Sequence, residues 1–129
     1  MVQAVKILLD SVIVIDHLNG IEQATRYLER HADRAAVSVI TRAEVLAGAK
    51  PRAVAKVRRL LALFPNLAIT AEIADRAAAL RRKHRWKLPD AFQAALAKHH
   101  RMRLATRDTR DFRPSTHRFV IVPYTLTGR

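Results

Sequence analysis

Short, uninterrupted apolar runs separated by stretches of helical spacing constrain this chain more than any other feature. Residues 5–9, 35–39, 103–106 and 118–122 each form such a run, and 67–69 reads as a short strand or extended connection. A strand with one wet face alternates apolar and polar residues, whereas a strand covered on both faces reads as a continuous run. Between the runs, apolar residues recur at helical spacing over 12–18, 21–31, from Thr41 through Ala47, over 51–64, from Ile73 to Leu80 and from Leu88 to about His100. Asn19-Gly20 stops the first of these helices, Pro51 and Pro89 open two others, and Pro123 ends the last strand. Strands and helices in alternation predict an α/β fold of three layers, α/β/α, around a mostly parallel central sheet.

A chain of 129 residues, half of them hydrophobic, suits a single domain spanning 1–129. There is no cysteine, which excludes a disulfide framework, a thiolate zinc site and a cysteine nucleophile. The three glycines, Gly20, Gly48 and Gly128, are too scattered for a Gly-rich phosphate loop. Asp10 arrives too early for a secretory signal, and no apolar run approaches the length of about 20 residues needed to cross a bilayer. The expectation is a soluble, cytoplasmic protein with no membrane partner.

The formal net charge is +13, and it is unevenly spread. Residues 1–40 carry a net −1, residues 41–88 a net +9 and residues 89–129 a net +5. Such a field attracts phosphate or an acidic partner. The densest stretch contains Arg81, Arg82, Lys83, Arg85, Trp86 and Lys87, where the cations suit the phosphates of a nucleic-acid backbone and Trp86 suits stacking on an unpaired base. A solvated helix face with a partly buried Trp accounts for the same residues. The six histidines read as surface residues; His99 and His100 diverge by about 100° on a helix and make a poor chelate.

The acids are few, yet several occupy equivalent places. Asp10 follows the first strand, Glu44 lies in the first turn after the second, Asp108 follows the strand ending at Thr106, and Asp90 starts the helix that leads into that strand. In a parallel sheet these places share the carboxyl edge, where such folds bind ligands. Each residue alone has a plainer account. Asp10 suits an N-cap, Thr41 and Glu44 match a capping box, Asp90 suits a first helical turn, and Asp108 or Asp111 suits a turn or the cap of a short following helix. Their joint placement is what the plain accounts omit, because gathered carboxylates repel one another unless a cation neutralises them. An all-oxygen donor set without Cys, or His at ligand spacing, points to magnesium or manganese.

The residues Leu8-Leu9-Asp10-Ser11, Ser38 through Gly48, Leu88-Pro89-Asp90-Ala91 and Leu104 through Phe112 resemble, in order and spacing, a PIN-domain ribonuclease of the VapC type, the toxin half of a toxin–antitoxin pair. The resemblance covers nearly the whole chain. It implies metal-dependent hydrolysis of RNA phosphodiester bonds, with the family's four acids on Asp10, Glu44, Asp90 and Asp108. Asp10 and Asp90 are then the first choice for direct ligands of Mg2+ or Mn2+, with Glu44 and Asp108 serving a second ion or the attacking water. Ser11 and Thr106 match hydroxyl positions bordering the pocket, and Asp111 matches a final aspartate whose part is supporting or structural. A cognate VapB-type antitoxin and a homodimer are implied as well, with helix 51–64 offering a groove to one or the other. The chain departs from the family pattern at Val12 and at Arg85-Trp86-Lys87-Leu88. Two other classes compete: a PIN-fold RNA-binding module without catalytic activity, and a receiver-like domain with an aspartyl phosphoacceptor.

Overall fold

A computed structural model describes residues 6–126, with β1 (Ile7–Leu9), α1 (Ser11–Leu18), α2 (Glu22–His31), β2 (Ala35–Ser38), α3 (Val39–Gly48), α4 (Val54–Leu61), β3 (Asn66–Leu67), α5 (Ala71–His84), α6 (Leu88–His99), β4 (Arg103–Ala105) and β5 (Val120–Ile121). The five strands form one sheet in the order β3-β2-β1-β4-β5, and every pairing is parallel. The expected mostly parallel sheet is thus wholly parallel among the described residues, within an α/β/α sandwich. Val5, assigned to the first strand from sequence, lies outside the described residues, as does Gly128.

The continuous apolar runs divide cleanly between two cores, because successive strand residues point to opposite faces. Leu8, Ala36, Leu104 and Val120 join Ile73 and Ala77 of α5 and Ala91, Ala94 and Ala95 of α6 on one side. Ile7, Leu9, Ala35, Val37 and Ala105 join Ile13 and Val14 of α1, Val45 of α3, and Val57 and Leu61 of α4 on the other. The buried alanines of α6 let that helix lie close to both α5 and the sheet.

Boundaries shift where capping chemistry decides them. Val39, expected to be strand, opens α3 instead: Ser38, the last residue of β2, is also the helix N-cap, its hydroxyl accepting from Thr41 N at 2.9 Å. The capping box read from Thr41 and Glu44 therefore does not form, and both side chains are released for other work. Pro51–Ala53 makes a separate 3-10 turn before α4, which ends at Leu61; Leu63 is exposed. Gly20, at φ 81°, takes the left-handed conformation that closes α1. The expected runs 67–69 and 118–122 shrink to two-residue strands, and turns, without a helix, follow Asp108.

One buried ion pair joins the layers at the sheet's carboxyl edge. Asp16 on α1 accepts from Arg107 Nε at 2.6 Å, Arg107 Nη2 at 2.8 Å and Tyr124 Oη at 2.8 Å. These bonds hold the Asp16 carboxyl below the usual range, chiefly through Arg107. They fix the segment leaving β4 against α1, and sequence reasoning assigned Asp16 no role. Asp16→Ala is expected to lower the unfolding free energy by about 2–4 kcal/mol, since it strands a partly buried guanidinium, and Tyr124→Phe by about 1 kcal/mol. A depressed acid pKa stabilises above the unfolded value of 3.8 and loses that contribution as pH falls through the folded one. Denaturant unfolding should therefore show the wild-type advantage over Asp16→Ala narrowing in acid.

Candidate active site

β1 and β4 lie side by side at the centre of the sheet, and the chain leaves them in opposite directions across it. This is the switch point at which open α/β sheets form a crevice. A cleft of about 940 Å³ opens there, lined by Asp10, Ser11, Val12, Glu44, Asp90 and Gln93 together with Arg107, Asp108, Arg110 and Arg113 of the loop after β4.

Asp10 sits at the floor, 7% exposed. It is the N-cap of α1, as its position suggests, with Oδ1 accepting from Ser11 N at 2.9 Å. Oδ1 also accepts from Gln93 Nε2 at 3.2 Å, and Oδ2 from Thr106 Oγ1 at 2.6 Å. Burial raises the Asp10 pKa, and these three donors oppose the rise by favouring the carboxylate. Thr106 does double duty: its Oγ1 accepts from Asp108 N at 3.0 Å, and Asp108 Oδ1 in turn accepts from Arg110 N at 3.2 Å. The turn that presents Asp108 is thereby tied to the hydroxyl that grips Asp10.

Asp90 stands in the first turn of α6, directed to the same edge by the parallel topology. Carboxylate oxygens of Asp90, Asp108 and Asp111 all lie within 4.8 Å of one another. Asp111 thus belongs to the tightest acidic group among the described residues. Asp10 and Glu44 line the same cleft outside that triad. Burial, reinforced by the negative charges of Asp10, Asp108 and Asp111, pushes the Asp90 pKa up to about 7. Glu44 lies exposed on α3, yet partial desolvation of its carboxyl, with the charge of Asp10, holds its pKa above the ordinary value against an opposing hydrogen bond from Ser11.

The donor set fits a hard divalent cation: three carboxylates within reach of one ion, no sulfur ligand, and a surplus of negative charge that burial makes unfavourable. Two residues of this site escaped sequence reasoning. Gln93 is buried within the alanine face of α6, and an isolated polar residue in a helix carries no spacing signal. Thr41, assigned to a cap, instead accepts from Gln93 Nε2 at 2.8 Å.

The proposed stacking role of Trp86 is corrected. Its ring is 3% exposed, stacks on His84 at 4.2 Å between centroids, and meets Phe112 and His117 edge-on. Its indole donates to the Asp111 carbonyl at 3.1 Å. The C-cap residue Arg85, at φ 59°, takes the left-handed turn that swings Trp86 into the core. Indole burial outweighs that modest backbone strain. His84 and His117 are consequently half-buried, with pKa values lowered chiefly by desolvation, and so depart from the surface reading. Arg81, Arg82, Lys83, Arg85 and Lys87 remain exposed, away from the cleft lining.

A five-stranded parallel sheet with carboxylates gathered at its switch point defines an α/β domain built around an acidic cleft. The family model described as PIN domain matches residues 7–114, and the chain belongs to that family. It is similar to a chain of a toxin-antitoxin complex from Klebsiella pneumoniae, 38% identical, with a TM-score of 0.85 over 96% of this chain and 100% of that one. It is also similar to FitAcB from Neisseria gonorrhoeae, 25% identical, TM-score 0.72, covering 93% and 99% of the two chains. VapBC2 from Rickettsia felis, 20% identical with a TM-score of 0.74 over 89% and 95%, shares the fold. Among curated proteins, none matches the chain.

An acid whose folded pKa is raised loses stability as pH climbs from the unfolded value of 3.8 to about 7. Metal-free Asp90→Asn protein should accordingly be more stable than wild type at pH 8, by about 1–2 kcal/mol once the half-exposed position is discounted. The two should converge near pH 4. Thermal melts in EDTA across this range check it, and added Mn2+ should raise the wild-type midpoint more than that of the variant.

Proposed function

We propose that the protein is a divalent-metal-dependent endoribonuclease acting as the toxin of a toxin–antitoxin pair. The observation that carries this reading is the grouping of Asp90, Asp108 and Asp111 within 4.8 Å beside buried Asp10 in an open cleft. Similarity to the toxin-antitoxin complex of Klebsiella pneumoniae supports the biological setting.

Asp10, Asp90, Asp108 and, through its place in the triad, Asp111 would hold Mg2+ or Mn2+. Such an ion supplies Lewis-acid polarisation of the phosphoryl group and neutralises developing charge. The chain's own contribution is positioning. Ser11 N, Gln93 and Thr106 orient Asp10 and favour its carboxylate form against burial, and Thr106 sets the turn bearing Asp108. Glu44, at the cleft mouth with a pKa above the ordinary range, suits orienting the attacking water and taking its proton. Arg110 and Arg113 line the cleft, and Arg81, Arg82, Lys83, Arg85 and Lys87 add an exposed basic surface outside its lining. These cations suit a polyanion that the acids alone would repel, with phosphate contacts giving affinity more than sequence choice.

A VapB-type antitoxin and a homodimer complete the proposal. A groove of about 380 Å³ between α1, α3 and α4, lined by Ile15, Leu18, Val45 and Val57 and rimmed by Lys50 and Lys56, suits an amphipathic acidic segment. No described helix is long and apolar enough to cross a membrane.

The test compares cleavage of structured RNAs by wild type and Asp90→Asn, purified free of any copurifying partner. Wild type with Mg2+ or Mn2+ should cleave, EDTA should abolish cleavage, and Asp90→Asn should fall by at least about 100-fold while still binding RNA. Metal-independent or equal cleavage overturns the assignment, and binding without cleavage favours a non-catalytic RNA-binding module. Charge removal in Arg81→Ala/Arg82→Ala should reduce the salt slope of RNA binding by about 1–2.

A further inference from the structure

Gln93 is 1% exposed and stands on α6 beneath the cleft. Both of its amide protons are committed, one to Asp10 Oδ1 at 3.2 Å and one to Thr41 Oγ1 at 2.8 Å. Thr41 passes its own proton to the Leu9 carbonyl at 3.4 Å, so the relay returns to the backbone beside Asp10. At the other end of the amide, Oε1 is buried without a hydrogen-bond partner. An unsatisfied buried acceptor costs about 1–3 kcal/mol. Packing does not explain the amide: Ala91, Ala94, Ala95, Leu96 and Ala97 around it are all fully buried and apolar, and a leucine or methionine would leave no orphaned oxygen there. Reversing the amide would set Oε1 against Asp10 Oδ1, two acceptors with no proton between them. The two donors are what the position provides.

Counting acceptor sites shows what those donors do. Asp10 Oδ1 accepts from Ser11 N and Gln93 Nε2, which fills both of its lone pairs. Oδ2 accepts only from Thr106, leaving one lone pair open. We infer that Gln93 is a positioning residue that saturates Oδ1 and makes Asp10 a one-oxygen ligand, and thereby biases the cleft toward small octahedral cations over calcium. The inference rests on the metal-dependent reading above. Mg2+ and Mn2+ sites favour single oxygens in octahedral geometry, whereas Ca2+ accepts two-oxygen carboxylates and higher coordination numbers. Freed of Gln93, Asp10 can rotate and offer both oxygens.

The experiment is calorimetric titration of Mn2+ and of Ca2+ into the full chain as wild type, Gln93→Met and Asp90→Asn, with melting temperatures recorded alongside. Gln93→Met is expected to weaken Mn2+ binding by about tenfold, in the range of outer-shell substitutions at metal sites. Ca2+ binding should change by less than about threefold, so the Mn2+/Ca2+ preference falls. Unchanged Mn2+ binding, or equal weakening for both ions, overturns the inference, the second result marking a purely structural role. Absence of Mn2+ binding by wild type, or its persistence in Asp90→Asn, overturns the metal reading itself and is distinguishable on that ground. Should Gln93→Met fail to fold, Thr41→Val removes the amide's anchor with little change of volume; a smaller loss of Mn2+ preference is expected, and none overturns the inference.

Discussion

Like-charge repulsion at the carboxyl edge of the sheet is the constraint around which the rest of this molecule is arranged. Parallel topology delivers Asp10, Asp90 and Asp108 to one place, and Asp111 and Glu44 join them. The structure meets the repulsion unevenly. Asp10, the most buried, receives three donors that oppose the rise in its pKa which burial causes, without cancelling it. Asp90 has no comparable set, and its pKa rises to about 7. A site with one carboxylate clamped and another poised near neutrality is incomplete without positive charge, and the neighbouring arginines do not supply it directly. Arg107 is engaged with Asp16, and neither Arg110 nor Arg113 forms an ion pair with an acid among the described residues.

The Asp16–Arg107 pair shows how such a site is kept in register. A loop carrying acids that repel α6 and β1 would swing outward if only turn geometry held it. Arg107, next to Asp108 in the chain, is bound through two nitrogens to α1 and, through Asp16, to Tyr124 beyond β5. Thr106, the residue before, is held by Ile121 through its backbone and by Asp10 through its hydroxyl. Three consecutive residues therefore anchor, bridge and present. The rigidity of the acidic cleft is assembled from the ends of β4, β5 and α1, not from the loop itself.

How much of this was legible in the sequence follows from the kind of signal each part leaves. The strands of the central sheet were readable because burial on both faces forces an apolar run, and Leu8 and Leu9 entering opposite cores is that rule in operation. Strand ends were less readable, since Ser38 is both the last strand residue and a cap, and only the hydrogen bond to Thr41 N distinguishes the roles. The acids of the site were reached by their positions relative to strands. Gln93, Asp16 and Thr41 were not, because each acts through a partner 52 to 91 residues away in the chain, as in Gln93–Thr41, Gln93–Asp10 and Asp16–Arg107. Trp86 misled for the opposite reason: a dense basic stretch surrounds it, and the left-handed turn at Arg85 that buries it has no glycine to announce it.

The distribution of charge completes the physical argument. A net +13 chain whose most conspicuous cleft is acidic would be contradictory if both features addressed the same ligand atoms. They do not. Buried Asp10 and half-buried Asp90, Asp108 and Asp111 stand where desolvation magnifies their repulsion, while the exposed arginines and lysines stand in solvent, where screening leaves them a longer-ranged but weaker pull. On the proposed reading, a polyanion approaching this surface would meet the basic side chains first, and a cation held by the acids would offset their repulsion. The same ordering places the clamp on the most buried of these carboxyls: burial raises the Asp10 pKa, and hydrogen bonds from Ser11, Gln93 and Thr106 oppose that rise.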